Sequence, residues 1–216
     1  MHAVVTNTPL KPVFFLTAAG RVHALVTQNV DRLDTLAGSR GVLELHGTTH
    51  EVVCLDCGAK SCRHRLQSRM EDSNPGWVAS AQPVGAPLRP DGDVEAPQNA
   101  TPFEVPPCDA CGGILKPYVV FFGDNLPPSR AERSLRLAAE ADALLVVGTS
   151  LATLSSFRLA KAVASAGRPV AVVCCGDTRA DGIASLKVRA RAGEVLPRVV
   201  AHGSLDIPTL TPAAWA

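Results

Sequence analysis

Short apolar runs that end in polar residues or glycine recur along the chain. Four such runs predict strands: HALVTQNV at 23–30, YVVFF at 118–122, ALLVV at 143–147 and VAVVCC at 170–175. Their apolar residues are continuous and do not alternate with polar ones, which is typical of strands that are buried on both faces of a parallel sheet.

Helical patterns follow the later strands. Ser129-Arg130-Ala131-Glu132 matches a capping box and predicts the start of a helix. Thr153–Ala166 has helical spacing and is closed by Gly167, and Glu194–Val200 predicts a final helix despite Pro197. The alternation of strands and helices predicts an α/β fold with a Rossmann-like, doubly wound parallel sheet.

The middle of the chain has a different composition. Residues 47–117 hold five of the seven cysteines, and Gln82–Pro107 contains seven prolines, which exclude a regular helix or central strand there. We therefore expect one domain formed by residues 1–46 and 118–216, with a small module and a Pro-rich loop inserted at 47–117.

Composition narrows the function classes. The chain is 46% hydrophobic and 19% charged, with a formal net charge of +1, so it can bury a sizeable core and carries no long basic run. We expect no nucleic-acid or membrane partner, because no basic stripe and no apolar run of about 18 residues is present. The oligomeric state is not indicated.

The cysteines indicate metal binding. Cys54 and Cys57, and Cys108 and Cys111, form two Cys-x-x-Cys pairs, each followed by glycine. A redox dithiol would open a helix after a strand, and neither pair is placed in that way. Two such turns complete a closed tetrahedral site, so we expect one structural Zn²⁺ and a reducing compartment, the cytoplasm or the mitochondrial matrix, with no secretion.

Polar residues at the ends of the predicted strands indicate a ligand site. They follow three strands, at Thr27–Asp31, Gly148–Ser150 and Gly176–Thr178. Ligands bind at the carboxyl ends of parallel strands, and glycine and hydroxyl groups at this edge favour a nucleotide, although no G-x-G-x-x-G or P-loop motif is present. His46 lies beside Gly47 near the start of the insert, and its spacing alone fits a structural or a catalytic role equally well.

In combination, these motifs resemble the sirtuin family. The segments TQNVDRL, LELHG, CLDCG, CDACGG, LKPYVVFFGD, ADALLVVGTSL and GEVLP carry the resemblance, which covers roughly Ala18–Val200. The segments CLDCG, KPYVVFFGD and LVVGTSL, with Thr178–Asp181 after the last strand, are most similar to the class II, mitochondrial-type lineage.

The resemblance implies an enzyme that uses NAD to remove acyl groups from protein lysines. The acyl oxygen attacks the ribose C1′ of NAD, and the products are nicotinamide and O-acyl-ADP-ribose; ADP-ribosyl transfer is a variant of the same chemistry. The resemblance assigns His46 as the general base on the ribose hydroxyls. It assigns NAD contacts to Gln28, Asn29, Val30, Asp31, Gly148, Thr149, Ser150, Cys174, Cys175, Gly176 and Ala192. It also implies that an acylated substrate pairs as an added strand with the segment containing Val119, Phe121 and Gly123.

The chain departs from the family pattern at three places. The glycine-rich G-A-G-x-S segment is not in the sequence, Asp34 stands where the family usually has histidine, and Cys174 replaces an asparagine. We therefore expect irregular residues at the start of the chain, a sheet that lacks its first strand, and weakened NAD binding. The alternative function is a catalytically impaired fragment that acts as a zinc-stabilised binding module.

Overall fold

A computed structural model describes residues 2–6, 11–77 and 103–202. The chain divides into two compact units. The larger unit comprises Met1–Thr48 and Val119–Ala216, and the smaller unit comprises Thr49–Tyr118.

The larger unit is built on a six-stranded parallel sheet. Its strands are β1 (His2–Thr6), β2 (Ala24–Thr27), β3 (Leu43–Glu44), β7 (Ala143–Val147), β8 (Val170–Val173) and β9 (Leu186–Val188). They lie in the order β3-β2-β1-β7-β8-β9. The sheet and the helices around it confirm the α/β, Rossmann-like fold.

Helices cover both faces of this sheet. They are α1 (Lys11–Ala18), α2 (Leu33–Leu36), α4 (Pro128–Glu140), α5 (Leu154–Ser165) and α6 (Ala192–Ala201). One apolar cluster joins α4 and α5 to Leu144 and Val146 of β7, and a second joins α1 and α6 to Val147. Alternate residues of one strand thus enter opposite clusters, which explains why the strands are apolar on both faces.

The expectation that the sheet lacks its first strand is wrong. His2–Thr6 forms β1, which pairs in parallel with β2 on one side and β7 on the other. Residues 11–18 form α1, so the start of the chain is also more regular than we expected. The run His2–Thr6 is five residues long and contains only three apolar residues, so it gave no clear strand signal. Its assignment to the centre of the sheet depends on pairing with distant strands.

Two predicted elements begin or end elsewhere. Only Tyr118 and Val119 of the YVVFF run lie in a strand, because Phe121 and Asp124 close a turn directly after it. The capping box is not formed, since α4 begins at Pro128 with Pro127 at its N-cap, and Ser129 lies within the first turn. Proline is favoured at the first helical position because it lacks the N–H that would be unpaired there. The helices predicted at 153–166 and 194–200 are confirmed.

Among its described residues, the smaller unit contains most of a three-stranded sheet and one helix. The strands are β4 (Gly47–Cys54), β5 (Lys60–Cys62) and β6 (Leu115–Val119), in the order β5-β4-β6, followed in the chain after β5 by α3 (Arg63–Ser73). The Pro-rich loop predicted at 82–107 lies largely outside the described residues. Within the part of the chain that the structure describes, no helix combines the length and hydropathy needed to cross a bilayer.

Candidate functional site

The carboxyl ends of four strands meet at one edge of the parallel sheet. Thr6 is in register with Thr27 of β2 and Val147 of β7, and Val147 is in register with Val173 of β8. The predicted polar segments that follow β2, β7 and β8 therefore start side by side, where open parallel sheets bind their ligands.

Gln28 joins two of these segments. Its side-chain Nε2 donates to Thr149 Oγ1 at 2.9 Å, across the central strand of the sheet. Thr153 Oγ1 lies 3.5 Å from Gln28 Oε1, a long contact on the other side of the same amide. The two threonines fix the orientation of the Gln28 side chain, and Thr149 is 5% exposed.

Backbone contacts hold the rest of the segment after β2. The N–H of Asn29 donates to Thr27 Oγ1 at 3.2 Å, and the carbonyl of Val30 accepts from Thr48 Oγ1 at 3.3 Å. Asp31 is exposed and accepts a 3.1 Å bond from the N–H of Leu33. The Asn29 side chain is half-buried, so both Asn29 and Asp31 have surface at this edge.

The segments after β7 and β8 present mainly backbone to the edge. Gly148 has a φ of +63°, and its N–H donates to the carbonyl of Val173 at 2.9 Å. Ser150 is exposed, and its carbonyl accepts a 2.9 Å bond from the N–H of Arg179. A glycine without a side chain and an exposed serine hydroxyl at this edge suit the sugar and phosphates of a nucleotide.

Three further predicted cofactor residues differ in exposure. Cys174 is half-buried with its N–H bonded to the carbonyl of Val188 at 3.1 Å, whereas Cys175 and Gly176 are exposed. Ala192 is 9% exposed and packs in the apolar cluster of α6, so its methyl group faces the core. Any contact of Ala192 with a ligand would therefore come from its backbone at the start of that helix.

His46 lies beside this edge with both ring nitrogens engaged. Nδ1 is 3.3 Å from the backbone carbonyl oxygen of Gln28, and Nε2 is 3.0 Å from Ser155 Oγ. Burial lowers the pKa of His46 below its usual value, the Gln28 carbonyl opposes this, and the positive charge of Arg130 lowers the pKa further. The lowered pKa favours the neutral imidazole, which is the form that a general base needs.

The predicted substrate segment is tied to His46 by the backbone. The N–H of Val120 donates to the carbonyl of His46 at 2.9 Å, directly after Val119. Gly123 has a φ of +95°, and the N–H of Asp124 donates to the carbonyl of Phe121 at 3.0 Å, which closes a turn. Phe121 is 50% exposed and Phe122 is fully exposed. Val120, which is bonded to His46, is thus followed directly in the chain by a turn that contains the exposed Phe121 and Phe122.

Asp34, the residue at one of the departures from the family pattern, is buried in the fold. It is 2% exposed, and neither carboxylate oxygen has a hydrogen-bond partner among the described residues. Burial raises the pKa of Asp34, the hydroxyl of Thr27 opposes this, and the charge of Asp31 raises it further. The fold therefore holds a carboxyl group where a charge is unfavourable.

The four predicted metal ligands form one cluster in the smaller unit. The Sγ atoms of Cys54, Cys57, Cys108 and Cys111 all lie within 4.8 Å of one another. Cys54 Sγ is 3.5 Å from Cys111 Sγ, and Cys57 Sγ is 3.8 Å from Cys108 Sγ. Zn–S bonds of about 2.3 Å place tetrahedral sulfurs about 3.8 Å apart, so the cluster fits one Zn²⁺ with no open position.

Tight turns shape each half of this cluster. Gly58 N–H donates to the carbonyl of Cys54 at 3.1 Å, and Gly112 N–H donates to the carbonyl of Cys108 at 2.8 Å. The backbone N–H of Cys57 is the main cause that lowers the pKa of Cys54 to about 7, against the effect of burial. The first turn thus favours the thiolate form of Cys54, the form that binds metal.

Sequence reasoning missed three side chains near His46. Ser155 and Thr153 lie at the start of α5, the helix that follows the β7 segment, and Arg130 lies in the first turn of α4. Arg130 Nη1 also donates to the carbonyl of Leu45 at 3.3 Å. The signal that could have found Ser155 and Thr153 is their position at a helix start directly after a strand tip, where ligand sites form.

Comparisons with known proteins agree with this geometry. The model of the Sir2 family matches residues 7–155. The chain is 44% identical over 208 residues to an NAD-dependent protein deacylase, SRT2, of Arabidopsis thaliana, covering 90% of this chain and 56% of that protein. It is 45% identical over 181 residues to the mitochondrial NAD-dependent protein lipoamidase sirtuin-4 of Homo sapiens, covering 83% and 56%.

Solved structures show the same architecture. A Sir2 complex with a p53 peptide and NAD⁺ has a TM-score of 0.70 at 28% identity, covering 93% of this chain and 71% of that one. The chain spans 56% of the length of the plant and human relatives. Since the family model matches more than half of the chain and the sheet, the histidine and the cysteine cluster agree with it, the chain belongs to the Sir2 family.

Proposed function

We propose that this chain carries out NAD-dependent removal of an acyl group from protein lysines, with nicotinamide and O-acyl-ADP-ribose as products. The observation that carries the proposal is the position of His46, whose Nδ1 is 3.3 Å from the Gln28 carbonyl oxygen at the ligand edge of a Rossmann-like sheet. The names of the plant and human relatives describe the same class of activity and support the proposal.

The cofactor contacts divide between the strand ends. Gln28, Asn29, Val30 and Asp31 would hold the nicotinamide side, and Gly148, Thr149, Ser150, Cys174, Cys175, Gly176 and the backbone of Ala192 would hold the remainder. NAD supplies a ribose carbon that accepts the acyl oxygen as nicotinamide leaves. His46 accepts a proton from a ribose hydroxyl at Nε2, because its Nδ1 is bonded to a carbonyl.

The acylated substrate would bind along the segment after β6. Val119 ends that strand and Gly123 turns the chain, so an extended peptide can pair with the backbone between them. Zn²⁺, held by four cysteines, would stabilise the smaller unit without taking part in the chemistry. The free thiols and the mitochondrial relatives favour a reducing compartment, the cytoplasm or the mitochondrial matrix.

The test is a deacylation assay with acetylated and lipoylated peptides, NAD and mass-spectrometric detection of both products. His46→Ala should reduce turnover by at least about a hundredfold, because a general base is removed. His23→Ala is the matched control, since His23 is exposed at the opposite end of β2 and should leave turnover unchanged. Bound zinc should be equal in all three proteins.

The same assay distinguishes the proposed deacylase from the alternative, a zinc-stabilised binding module. One observation favours that alternative: Cys174 offers a thiol, a weak hydrogen-bond partner, where the family has asparagine. Peptide binding without product formation in the unmutated chain would support the binding module and refute the deacylase. ADP-ribosylated protein without deacylated peptide would indicate the transferase variant.

A further inference from the structure

Ser155 contacts the ring nitrogen of His46 that faces away from Gln28. The distance from Ser155 Oγ to His46 Nε2 is 3.0 Å, within the range of a good hydrogen bond. Ser155 and His46 are 109 residues apart in the sequence, so the contact is made only by the packing of α5 beside β3 and the following residues.

The partners of the ring fix its tautomer. A backbone carbonyl can only accept a hydrogen bond, so the Nδ1 that lies 3.3 Å from the Gln28 carbonyl oxygen carries the proton. In the neutral ring, Nε2 then has the free electron pair, and the Ser155 hydroxyl must donate to it. Burial, which lowers the pKa of His46, favours this neutral ring.

The backbone at Ser155 is fixed by the start of α5. The N–H of Phe157 donates to the Thr153 carbonyl at 3.1 Å, and Ser156 Oγ bonds Thr153 Oγ1 at 2.7 Å. Ser156 is fully buried, whereas the Ser155 side chain is half-buried. Ser155 thus lies between residues that are bonded to one another, and its half-buried hydroxyl contacts His46 beside the ligand edge.

From this geometry we infer that Ser155 is a further catalytic residue that relays the proton from the ribose hydroxyl to His46. The inference rests on the proposed deacylase function. The substrate O–H bond breaks as a new bond to Ser155 Oγ forms, and the original hydroxyl proton of Ser155 passes to Nε2. Ser155 is unchanged overall, His46 becomes an imidazolium, and no other reactant is needed.

The alternative role for Ser155 is a placeholder that occupies Nε2 until substrate displaces it. The two roles predict opposite effects of removing the hydroxyl. A relay residue is required, so Ser155→Ala should lower kcat, whereas removal of a placeholder should leave kcat unchanged or raise it.

The first measurement does not depend on activity. Long-range ¹H–¹⁵N NMR of the full chain should show His46 protonated at Nδ1, with an Nε2 signal that moves downfield in Ser155→Ala. That is the direction in which an unprotonated imidazole nitrogen moves when it loses a hydrogen-bond donor. Ser155→Thr should restore the signal, and Ser165→Ala, an exposed serine at the other end of α5, should leave it unchanged.

The second measurement is the steady-state kinetics of the same variants. Ser155→Ala should lower kcat by roughly tenfold or more with the KM values for NAD and peptide unchanged, and Ser155→Thr should recover most of the loss. An unchanged His46 spectrum, or an unchanged or raised kcat in Ser155→Ala, overturns the relay. If the spectrum is as expected but the chain forms no deacylated product, the proposed function and the relay are overturned together. Ser155 then remains only the group that fixes the tautomer of His46.

Discussion

At the scale of single residues, Asp34 is a carboxyl group that the fold buries at a cost. Below about pH 3.9 the group is protonated in both the folded and the unfolded chain, so it has no effect on the pH dependence of stability. Because burial raises the folded-state pKa of Asp34, the unfolded chain ionises first as the pH rises, and the folded state loses stability relative to it.

We therefore expect Asp34→Asn to stabilise the protein at neutral pH. The gain should be about 1 kcal/mol at pH 7.5, because an isosteric amide avoids a buried charge, and it should vanish as the pH falls toward 4. Urea denaturation of the original chain and the variant at both pH values measures it. A gain that is equal at both pH values would show that the pKa of Asp34 is not raised in the folded protein.

His46 gives a second prediction at this scale. In the proposed deacylation His46 must be neutral, and burial lowers its pKa. We therefore expect kcat/KM to fall on the acid side only below about pH 6.5. Arg130→Gln removes a positive charge that disfavours the imidazolium, so the acid limb should move to higher pH. The pH–rate profiles of both proteins measure the shift, and a limb that moves to lower pH would contradict the assignment of His46 as the titrating base.

At the scale of elements, the turn after Cys111 lets the two cysteine pairs approach closely because Gly113 has no side chain. A Cβ on Gly113 would overlap the Asp56 carboxylate and lie 2.9 Å from Cys54 Sγ. Gly112 has a φ of +76°, but a Cβ there would meet nothing within 4 Å. The two neighbouring glycines thus separate the effect of space from the effect of backbone conformation.

Gly113→Ala should therefore weaken zinc binding more than Gly112→Ala. Alanine at position 112 costs about 1 kcal/mol for its left-handed conformation, whereas at position 113 a ligand sulfur must also move. Competition with a chromogenic chelator measures both affinities, and we expect at least a tenfold difference between the variants. Equal affinities would mean that the turn shifts without displacing Cys54.

Elements also show where local sequence signals succeed and fail. The helix at Leu154–Ser165 and the strand at Ala143–Val147 follow from continuous patterns with clear stops at Gly167 and Gly148. The helix at Pro128–Glu140 begins before its capping-box motif, because Pro128 takes the first helical position and Ser129 then lies inside the first turn. A motif of four residues does not specify which neighbouring residue starts the helix.

At the scale of the whole molecule, the parallel sheet depends on β1. This strand lies between β2 and β7, so its backbone groups bond to residues about 20 and 140 positions away. A central strand of a parallel sheet has partners on both sides, and proline is excluded from such positions because it cannot donate.

Val4→Pro should therefore destabilise the larger unit by about 2 kcal/mol or more, because it removes a ladder hydrogen bond between central strands. His2→Pro, at the first residue of the strand, is the control and should cost less. Thermal denaturation followed by circular dichroism compares them. Equal melting temperatures would show that β1 does not pair at the centre of the sheet.

The sequence by itself determined the class of the fold, the two cysteine pairs that form the cluster and the position of the histidine. Buried strands, Cys-x-x-Cys pairs and strand tips are patterns of neighbouring residues, and short segments carry them completely. Only the tertiary structure decided that His2–Thr6 is the central strand, that Asp34 is buried, and that Ser155 reaches His46. These features depend on which distant segments pack together, and that choice is made by the free energy of the whole sheet and its two apolar clusters.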